Sequence, residues 1–98
     1  MKLNKIIECL EKWAPPSLQE EYDNSGLIIG NIQNEIKGIL VTLDCTEEII
    51  NEAIKKKCNL IISHHPLIFR PIKKITGSNH VEKSIIKAIQ NSISIYSI

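Results

Sequence analysis

The amino-acid sequence predicts an α/β fold, in which a mostly parallel or mixed β-sheet is flanked by helices. Apolar segments follow one another in the order helix, two strands, helix, strand, helix, strand. The later strands are separated by single helices, and this alternation favours parallel strands with helices packed on the sheet. A length of 98 residues suits one small hydrophobic core, so we assign residues 1–98 to a single domain.

The first part of the chain predicts a helix, a loop and a short strand. Apolar side chains recur at helical spacing over Leu3–Trp13, with charged side chains opposite them, which indicates an amphipathic helix. Two prolines in residues 14–17 end this helix, since proline disfavours helix at the residue before it. Residues 18–25 are polar and acidic and predict a loop or a short helical turn. The apolar run Leu27–Ile29 lies between two glycines and predicts a strand.

The middle of the chain predicts a buried strand followed by a helix. Residues 38–43 are apolar without strict alternation, which is typical of a strand buried on both faces. Two caps are open for the next helix: Asp44 with Glu47 as a capping box, or Thr46 alone. The triplet Lys55–Lys57 suits the negative end of the helix dipole better than a nucleic-acid contact.

The last part of the chain predicts strand, loop, helix and strand. Leu60–Ile62 is a second buried strand, residues 63–79 form a loop, and the helical spacing from Val81 to Ile89 gives the third helix. Apolar and serine residues then alternate through Ser92–Ile98, where the sequence stops on a strand. We expect this last strand to leave an unpaired edge and apolar surface, with self-association or low stability as the result.

Composition excludes several classes of function. The formal net charge is +1, so nothing favours a nucleic-acid partner or an anionic membrane surface. No apolar run approaches the ~20 residues of a membrane span, and Glu8 interrupts what would be the apolar part of a secretory signal. Cys9, Cys45 and Cys58 are odd in number and far apart, which predicts reduced thiols packed as small hydrophobes in a cytoplasmic protein.

Two adjacent histidines are the most informative residues. His64 and His65 follow the buried strand at its carboxyl end, where open α/β sheets bind their ligands. Successive side chains on extended backbone point to opposite sides, so the two rings suit one ion poorly. They suit two separate ions, which lie only ~3.5–4 Å apart in two-metal sites. The alternative is a pair of loop histidines with no metal.

Other polar residues have weaker claims. Asp44 ends the preceding strand and is either a helix cap or a carboxylate that orients a ligand histidine. The segment Asp23–Gly26 is first a turn, although a polar loop before a strand can also line a site. His80 lies beside a helix start, and we expect its side chain to be exposed.

Four segments occur together in this chain: residues 14–18 (A-P-P-S-L), residues 20–30, residues 43–46 and residues 61–69. On these residues the chain resembles the Nif-three-like family, also catalogued as GTP cyclohydrolase 1 type 2 homologs, over essentially its whole length. The S-H-H-P segment together with D-N-x-G-L is the specific part of the likeness. Tyr22 replaces the usual Trp of the family, and Ser25 stands where Val is common.

The resemblance implies an N-terminal portion of a larger α/β fold that binds two divalent metal ions, of Zn, Fe, Mn or Ni. It implies that His64 and His65 are both metal ligands. Asp44, from its place at the end of the preceding strand, is a candidate for orienting one of them. The other family ligands are an aspartate in an H-T-N-L-D-like segment and a later His and Glu, all expected beyond Ile98. The resemblance also implies a homo-oligomer, commonly a ring-shaped hexamer.

Two functions follow as hypotheses. The first is a dinuclear metal-binding, hydrolase-like protein with a small-molecule substrate, weakly active or inactive as a 98-residue chain. Opening of the guanine ring of GTP is implied by the family name alone. The second is a non-enzymatic metal-binding or protein-interaction module with a regulatory role.

Overall fold

The computed structural model describes residues 1–13 and 24–98. The helix end predicted at residues 14–17 and most of the following loop, including Tyr22 and Asp23, lie outside the described residues. The predicted order of elements is confirmed, with differences only at their ends. The elements are α1 (Leu3–Trp13), β1 (Gly26–Ile29), β2 (Ile39–Thr42), α2 (Glu47–Lys55), β3 (Leu60–Ser63), α3 (His80–Gln90) and β4 (Ser94–Ser97).

The four strands form one mixed sheet in the order β1-β4-β3-β2. Strand β3 is parallel to both β2 and β4, and β1 pairs with β4 in the antiparallel direction. The parallel strands are connected through the single helices α2 and α3. The predicted fold class, a mostly parallel or mixed sheet flanked by helices, is therefore confirmed.

Helices cover both faces of the sheet. Because side chains alternate along a strand, neighbouring residues of β3 and β4 enter two different clusters. The larger cluster joins Ile61 and Ile95 to α2 and α3 through Ile50, Ala53, Ile85 and Ala88. The smaller cluster joins Leu60, Ile62 and Tyr96 to Leu3 of α1.

The predicted exposure of the last strand is wrong. Strand β4 lies between β1 and β3, and all four of its residues are buried. The reason is that β1, from early in the chain, returns to pair with β4 in register Gly26 with Ser97. The strand with which the sequence ends is thus an interior strand of the sheet.

The exposed apolar edge belongs instead to β2, which the sequence predicts to be buried on both faces. Val41 is 72% exposed, and Ile39 and Leu43 are exposed as well. Ile39 and Val41 are in register with Leu60 and Ile62 and so lie on the α1 side of the sheet, but the cluster under α1 contains residues of β1, β3 and β4 and none of β2. A run of apolar residues does not distinguish a central strand from an edge strand.

The cysteines differ in their surroundings. Cys45 is buried in the larger cluster and Cys58 packs against it, which confirms the predicted packing for these two thiols. Cys9 lies exposed on α1, so the same prediction is wrong for that residue. Within residues 1–13 and 24–98, no helix has the length and apolar character to cross a membrane.

Candidate metal centre

The predicted site residues meet at one edge of the sheet. Because β2, β3 and β4 run parallel, their carboxyl ends lie side by side, with Thr42, Ser63 and Ser97 in register. Asp44 follows the end of β2, and His64 and His65 follow the end of β3. Backbone pairing continues past the strands, since His64 N donates to Thr42 O at 3.2 Å and His65 N to Leu43 O at 2.9 Å.

Asp44 contacts His65 directly. Its Oδ1 lies 2.7 Å from His65 Nδ1, and the two side chains are 59% and 51% exposed. If Nδ1 carries the proton of this hydrogen bond, the lone pair of the neutral ring lies on Nε2, on the other side of the imidazole. This is the carboxylate–imidazole pair that orients histidine ligands in metal sites.

The helix-cap alternative for Asp44 is wrong. Helix α2 begins at Glu47 with Thr46 as its N-cap, and the Thr46 hydroxyl accepts a hydrogen bond from Ile49 N at 3.3 Å. Thr46 therefore caps the helix without Asp44. The Asp44 carboxylate instead contacts the ring of His65.

His64 and His65 are both exposed and lie close together. Their ring centroids are 4.9 Å apart, and the ring planes are tilted by 48°. The two imidazoles are therefore near enough to serve one ion or two neighbouring ions, which lie ~3.5–4 Å apart in two-metal sites.

Three hydroxyl groups beneath these residues were missed at the level of sequence. Thr42 Oγ1 donates to the Asp44 carbonyl at 3.0 Å, and Ser63 Oγ donates to the His65 carbonyl at 2.8 Å. Ser97 Oγ lies 3.4 Å from the His64 carbonyl, which it reaches across the sheet. The sequence signal for the first two is a hydroxyl residue two positions before the site residue.

A cleft of about 700 Å³ opens beside the Asp44–His65 pair. Its opposite wall is the start of α3, where His80 is exposed as predicted. The sequence gives no sign that His80 and His65 line the same cleft. Cys45 also lines it, and burial raises the pKa of this thiol to about 11, so it stays protonated at neutral pH.

A second cleft of about 720 Å³ adjoins the first, and both are lined by Leu67, Phe69 and Val81. The loop between β3 and α3 surrounds it and contributes the cationic side chains of Arg70, Lys73 and Lys74. Within the part of the chain that the structure describes, these three cations form no ion pair.

Glu82 is the one carboxylate that lines the second cleft among the described residues, and it is turned into its own loop. Thr76 N donates to Oε1 at 2.9 Å, Ser78 Oγ donates to Oε2 at 2.9 Å, and Asn79 Nδ2 donates to Oε2 at 3.1 Å. The Thr76 N–H and then the Ser78 hydroxyl lower the pKa of this carboxyl to about 2. Glu82 therefore connects the start of α3 to the loop before it and stabilises both.

The D-N-x-G-L segment reaches the same loop. Asn24 Nδ2 donates to the Ile68 carbonyl at 2.7 Å, three residues after His65. Asp23 lies outside the described residues. Asn24 thus connects the residues before β1 to the loop that follows β3.

The donor set is small. Among residues 1–13 and 24–98 there is no group of three or more His, Cys, Asp or Glu side chains that could hold a metal ion. The residues that fit metal chemistry are His64 and His65, with Asp44 hydrogen-bonded to the second ring. Imidazoles with a carboxylate partner suit Zn, Fe and Ni.

Comparison with known proteins agrees with the fold. The family model described as Duf34/NIF3 (NGG1p interacting factor 3) matches residues 1–98. A GTP cyclohydrolase 1 type 2 homolog of Clostridium acetobutylicum is 43% identical over 97 residues, which cover 99% of this chain and 36% of the relative. NIF3-like protein 1 of Drosophila melanogaster is 42% identical over 97 residues, which cover 98% of this chain and 33% of the relative.

The solved structure of Staphylococcus aureus protein SA1388 superposes with a TM-score of 0.95 at 42% identity. The match covers 100% of this chain and 32% of that chain. The chain thus spans about a third of the length of these relatives. Since the family model covers every residue and the fold agrees, the chain belongs to the Duf34/NIF3 family.

Proposed function

We propose that this chain contributes two histidine ligands, His64 and His65, to a dinuclear metal centre of a hydrolase-like protein. The observation that carries the proposal is the 2.7 Å contact between Asp44 and His65, with the His64 ring beside it. A carboxylate on one ring nitrogen fixes the tautomer and the direction of the other nitrogen, which is how proteins present imidazole to a metal.

Two divalent ions would supply the hydrolytic chemistry by binding a water and lowering its pKa enough for hydroxide to form near neutral pH. The role proposed for this chain is to hold the metal ions and to orient the imidazole rings that bind them. His64 and His65 provide neutral donors, and Asp44 holds the second ring. The identity of the ions among Zn, Fe, Mn and Ni is left to experiment, because imidazole accepts several of them.

We expect the 98-residue chain to bind metal weakly. Two neutral imidazoles do not offset the charge of two divalent ions, and Asp44 is engaged with His65. The relatives are about three times as long, and the resemblance assigns them a further aspartate, histidine and glutamate. Those side chains would raise the affinity of the complete site.

The substrate we propose is a small anionic molecule. Its support is the second cleft, where Arg70, Lys73 and Lys74 are unpaired within the described residues and Phe69 adds an aromatic surface. Because this cleft adjoins the one beside His65, a phosphorylated ligand held by the cations would extend toward the histidines. A purine nucleotide such as GTP, suggested by the names of the relatives, has this chemistry.

Calorimetric titration with Zn²⁺ tests the metal proposal. We expect weak binding by the wild-type chain, and the loss of that binding in His64→Ala and His65→Ala. His80→Ala is the matched control, since His80 is an exposed histidine on the other wall of the same cleft. Equal binding by all four proteins would exclude the two histidines as ligands. Tight binding of two ions per chain would contradict the expectation of an incomplete donor set.

The alternative is a metal-binding or protein-interaction module without catalysis. The two functions differ in turnover by a complete family protein that carries the same S-H-H-P segment. Metal-dependent conversion of GTP or another phosphorylated substrate, abolished by the histidine substitutions, supports the hydrolase. Metal binding with no turnover across a panel of such substrates supports the module.

A further inference from the structure

Three hydroxyl side chains form a row across the sheet directly under the candidate metal centre. Thr42, Ser63 and Ser97 are the last residues of β2, β3 and β4, and they are in register with one another. In-register residues of a sheet share a face, and this row, the hydroxyl row, continues the face packed against α2 and α3.

Each member of the hydroxyl row is hydrogen-bonded to the main chain of a different site residue. The bonds run from Thr42 Oγ1 to the Asp44 carbonyl at 3.0 Å, from Ser63 Oγ to the His65 carbonyl at 2.8 Å and from Ser97 Oγ to the His64 carbonyl at 3.4 Å. One hydroxyl from each of the three strands thus donates to the carbonyl of one site residue.

Burial distinguishes the two serines of the hydroxyl row from ordinary surface serines. Ser63 and Ser97 are 0% and 1% exposed, so water does not compete for their hydrogen bonds. Ser94 is 1% exposed at the other end of β4, yet its Oγ has no hydrogen-bond partner within the described residues. Burial in this sheet therefore does not by itself give a serine a partner, and the bonded hydroxyls are those at the site.

We infer that Thr42, Ser63 and Ser97 are positioning residues, which fix the main chain of Asp44, His65 and His64 so that the Asp44–His65 contact and the two imidazole directions are set together. A carbonyl held by a buried hydroxyl restricts the rotation of its peptide plane, and that plane sets the direction of the Cα–Cβ bond. Loss of such a hydrogen bond makes the ligand directions less well fixed, and a metal site depends on those directions. The role in metal binding rests on the proposed function, whereas the role in the Asp44–His65 contact does not.

The first test uses the metal-free chain. Imidazole ¹⁵N spectra at a pH where the rings are neutral report which nitrogen of His65 carries the proton. We expect the Nδ1–H form in the wild type, because Nδ1 faces the Asp44 carboxylate. Ser63→Ala and Thr42→Val shift His65 toward the Nε2–H form. Ser94→Ala, a buried serine of the same sheet, and Thr42→Ser, which keeps the hydroxyl, leave the spectrum unchanged.

The second test is Zn²⁺ affinity by calorimetry. Loss of an outer-shell partner weakens metal binding about 10–100-fold, and we expect about tenfold for Ser63→Ala, Ser97→Ala and Thr42→Val. Ser94→Ala and Thr42→Ser bind as the wild type does. Thermal unfolding of each variant is measured beside the titration, and Thr42→Val serves where a serine variant does not fold, since Thr42 is only half-buried.

The outcomes separate the two proposals. If the wild type binds no Zn²⁺ but Ser63→Ala still changes the His65 tautomer, the metal function fails and the positioning role stands. If the wild type binds Zn²⁺ and folded Ser63→Ala, Ser97→Ala and Thr42→Val change neither the tautomer nor the affinity, the hydroxyl row has no positioning role. A change of equal size in Ser94→Ala also overturns it, because the effect would then follow from any buried serine.

Discussion

Asp44 and Glu82 are two carboxylates that line neighbouring clefts, and their surroundings differ in almost every respect. Asp44 is 59% exposed, and within the described residues its side chain contacts the ring of His65. Glu82 is buried and accepts hydrogen bonds from the backbone and side chains of Thr76 and Ser78 and from the side-chain amide of Asn79. The first carboxylate contacts a residue that can bind a metal, whereas the hydrogen bonds of the second, among the described residues, all come from its own loop.

This difference indicates which acidic residue stabilises the folded chain and which belongs to the candidate metal centre. A carboxylate saturated by neighbouring donors has no lone pair to offer a ligand, and its ionised form is strongly preferred. A carboxylate with one imidazole partner in an open cleft keeps lone pairs for solvent or a second donor. We therefore expect substitutions of Glu82 to affect folding and substitutions of Asp44 to affect metal binding.

The largest effect is expected for Glu82→Gln. The amide keeps one acceptor oxygen but presents an NH₂ group to donors of the loop, so several hydrogen bonds are lost at once. We expect a fall in Tm of at least about 5 °C, measured by circular dichroism. Glu52→Gln is the matched control, because Glu52 forms an exposed pair with Lys56 on α2 and its loss changes little. An unchanged Tm in Glu82→Gln would remove the contrast between the two carboxylates.

The pH dependence of stability gives the next effect. The pKa of Glu82 is lowered to about 2 in the folded chain, from 4.5, by the Thr76 N–H first and the Ser78 hydroxyl next. A depressed folded pKa contributes stability above the unfolded value and loses it as pH falls toward the folded value. Urea unfolding from pH 4.5 down to pH 2 should therefore show a steeper fall in the wild type than in Glu82→Gln. Glu35, whose pKa is lowered by the Met1 ammonium group, contributes to both slopes and cancels in the difference. Parallel slopes would contradict the assignment to Glu82.

Asp44→Asn gives the complementary result. The neutral amide accepts from the His65 ring more weakly than a carboxylate does, so Zn²⁺ binding by the histidines should weaken about tenfold. The Tm should stay near that of the wild type, since the side chain is largely exposed. Calorimetry and thermal unfolding on one preparation check both statements. A large fall in Tm with unchanged affinity would give Asp44 the structural role assigned here to Glu82.

The smallest effect concerns the start of α2. Thr46→Ala removes the N-cap hydroxyl that accepts from Ile49 N and should cost about 1 kcal/mol of unfolding free energy. Asp44→Ala, two residues earlier, should cost less, because Asp44 does not cap the helix. Urea unfolding of the two variants decides the order. The reverse order would restore the capping-box interpretation for Asp44.

Much of the fold could be predicted from local patterns. Helical spacing over Leu3–Trp13 and the alternation of strands with single helices gave the elements and the mixed sheet. Strand position could not be predicted this way. The pairing of β1 with β4 depends on contacts between segments that are far apart in the chain, so the roles expected for β2 and β4 were exchanged.

The candidate site follows the same division. The S-H-H-P segment at the end of a buried strand made His64 and His65 candidates, and the carboxyl-end rule added Asp44. Whether Asp44 caps the helix or contacts a histidine is decided by tertiary structure. The register of β2 with β3 brings Asp44 to His65 across the sheet. The link from Ser97 to His64 joins residues 33 positions apart.

The sequence by itself determined the helices, the strands and the residue types that meet at one edge of the sheet, since these depend on periodicity and on chain direction. Tertiary structure decided which strand is interior, which carboxylate contacts an imidazole and which hydroxyls support the site. Those choices depend on strand order and register, which bring together residues such as Ser97 and His64 that are distant in the chain.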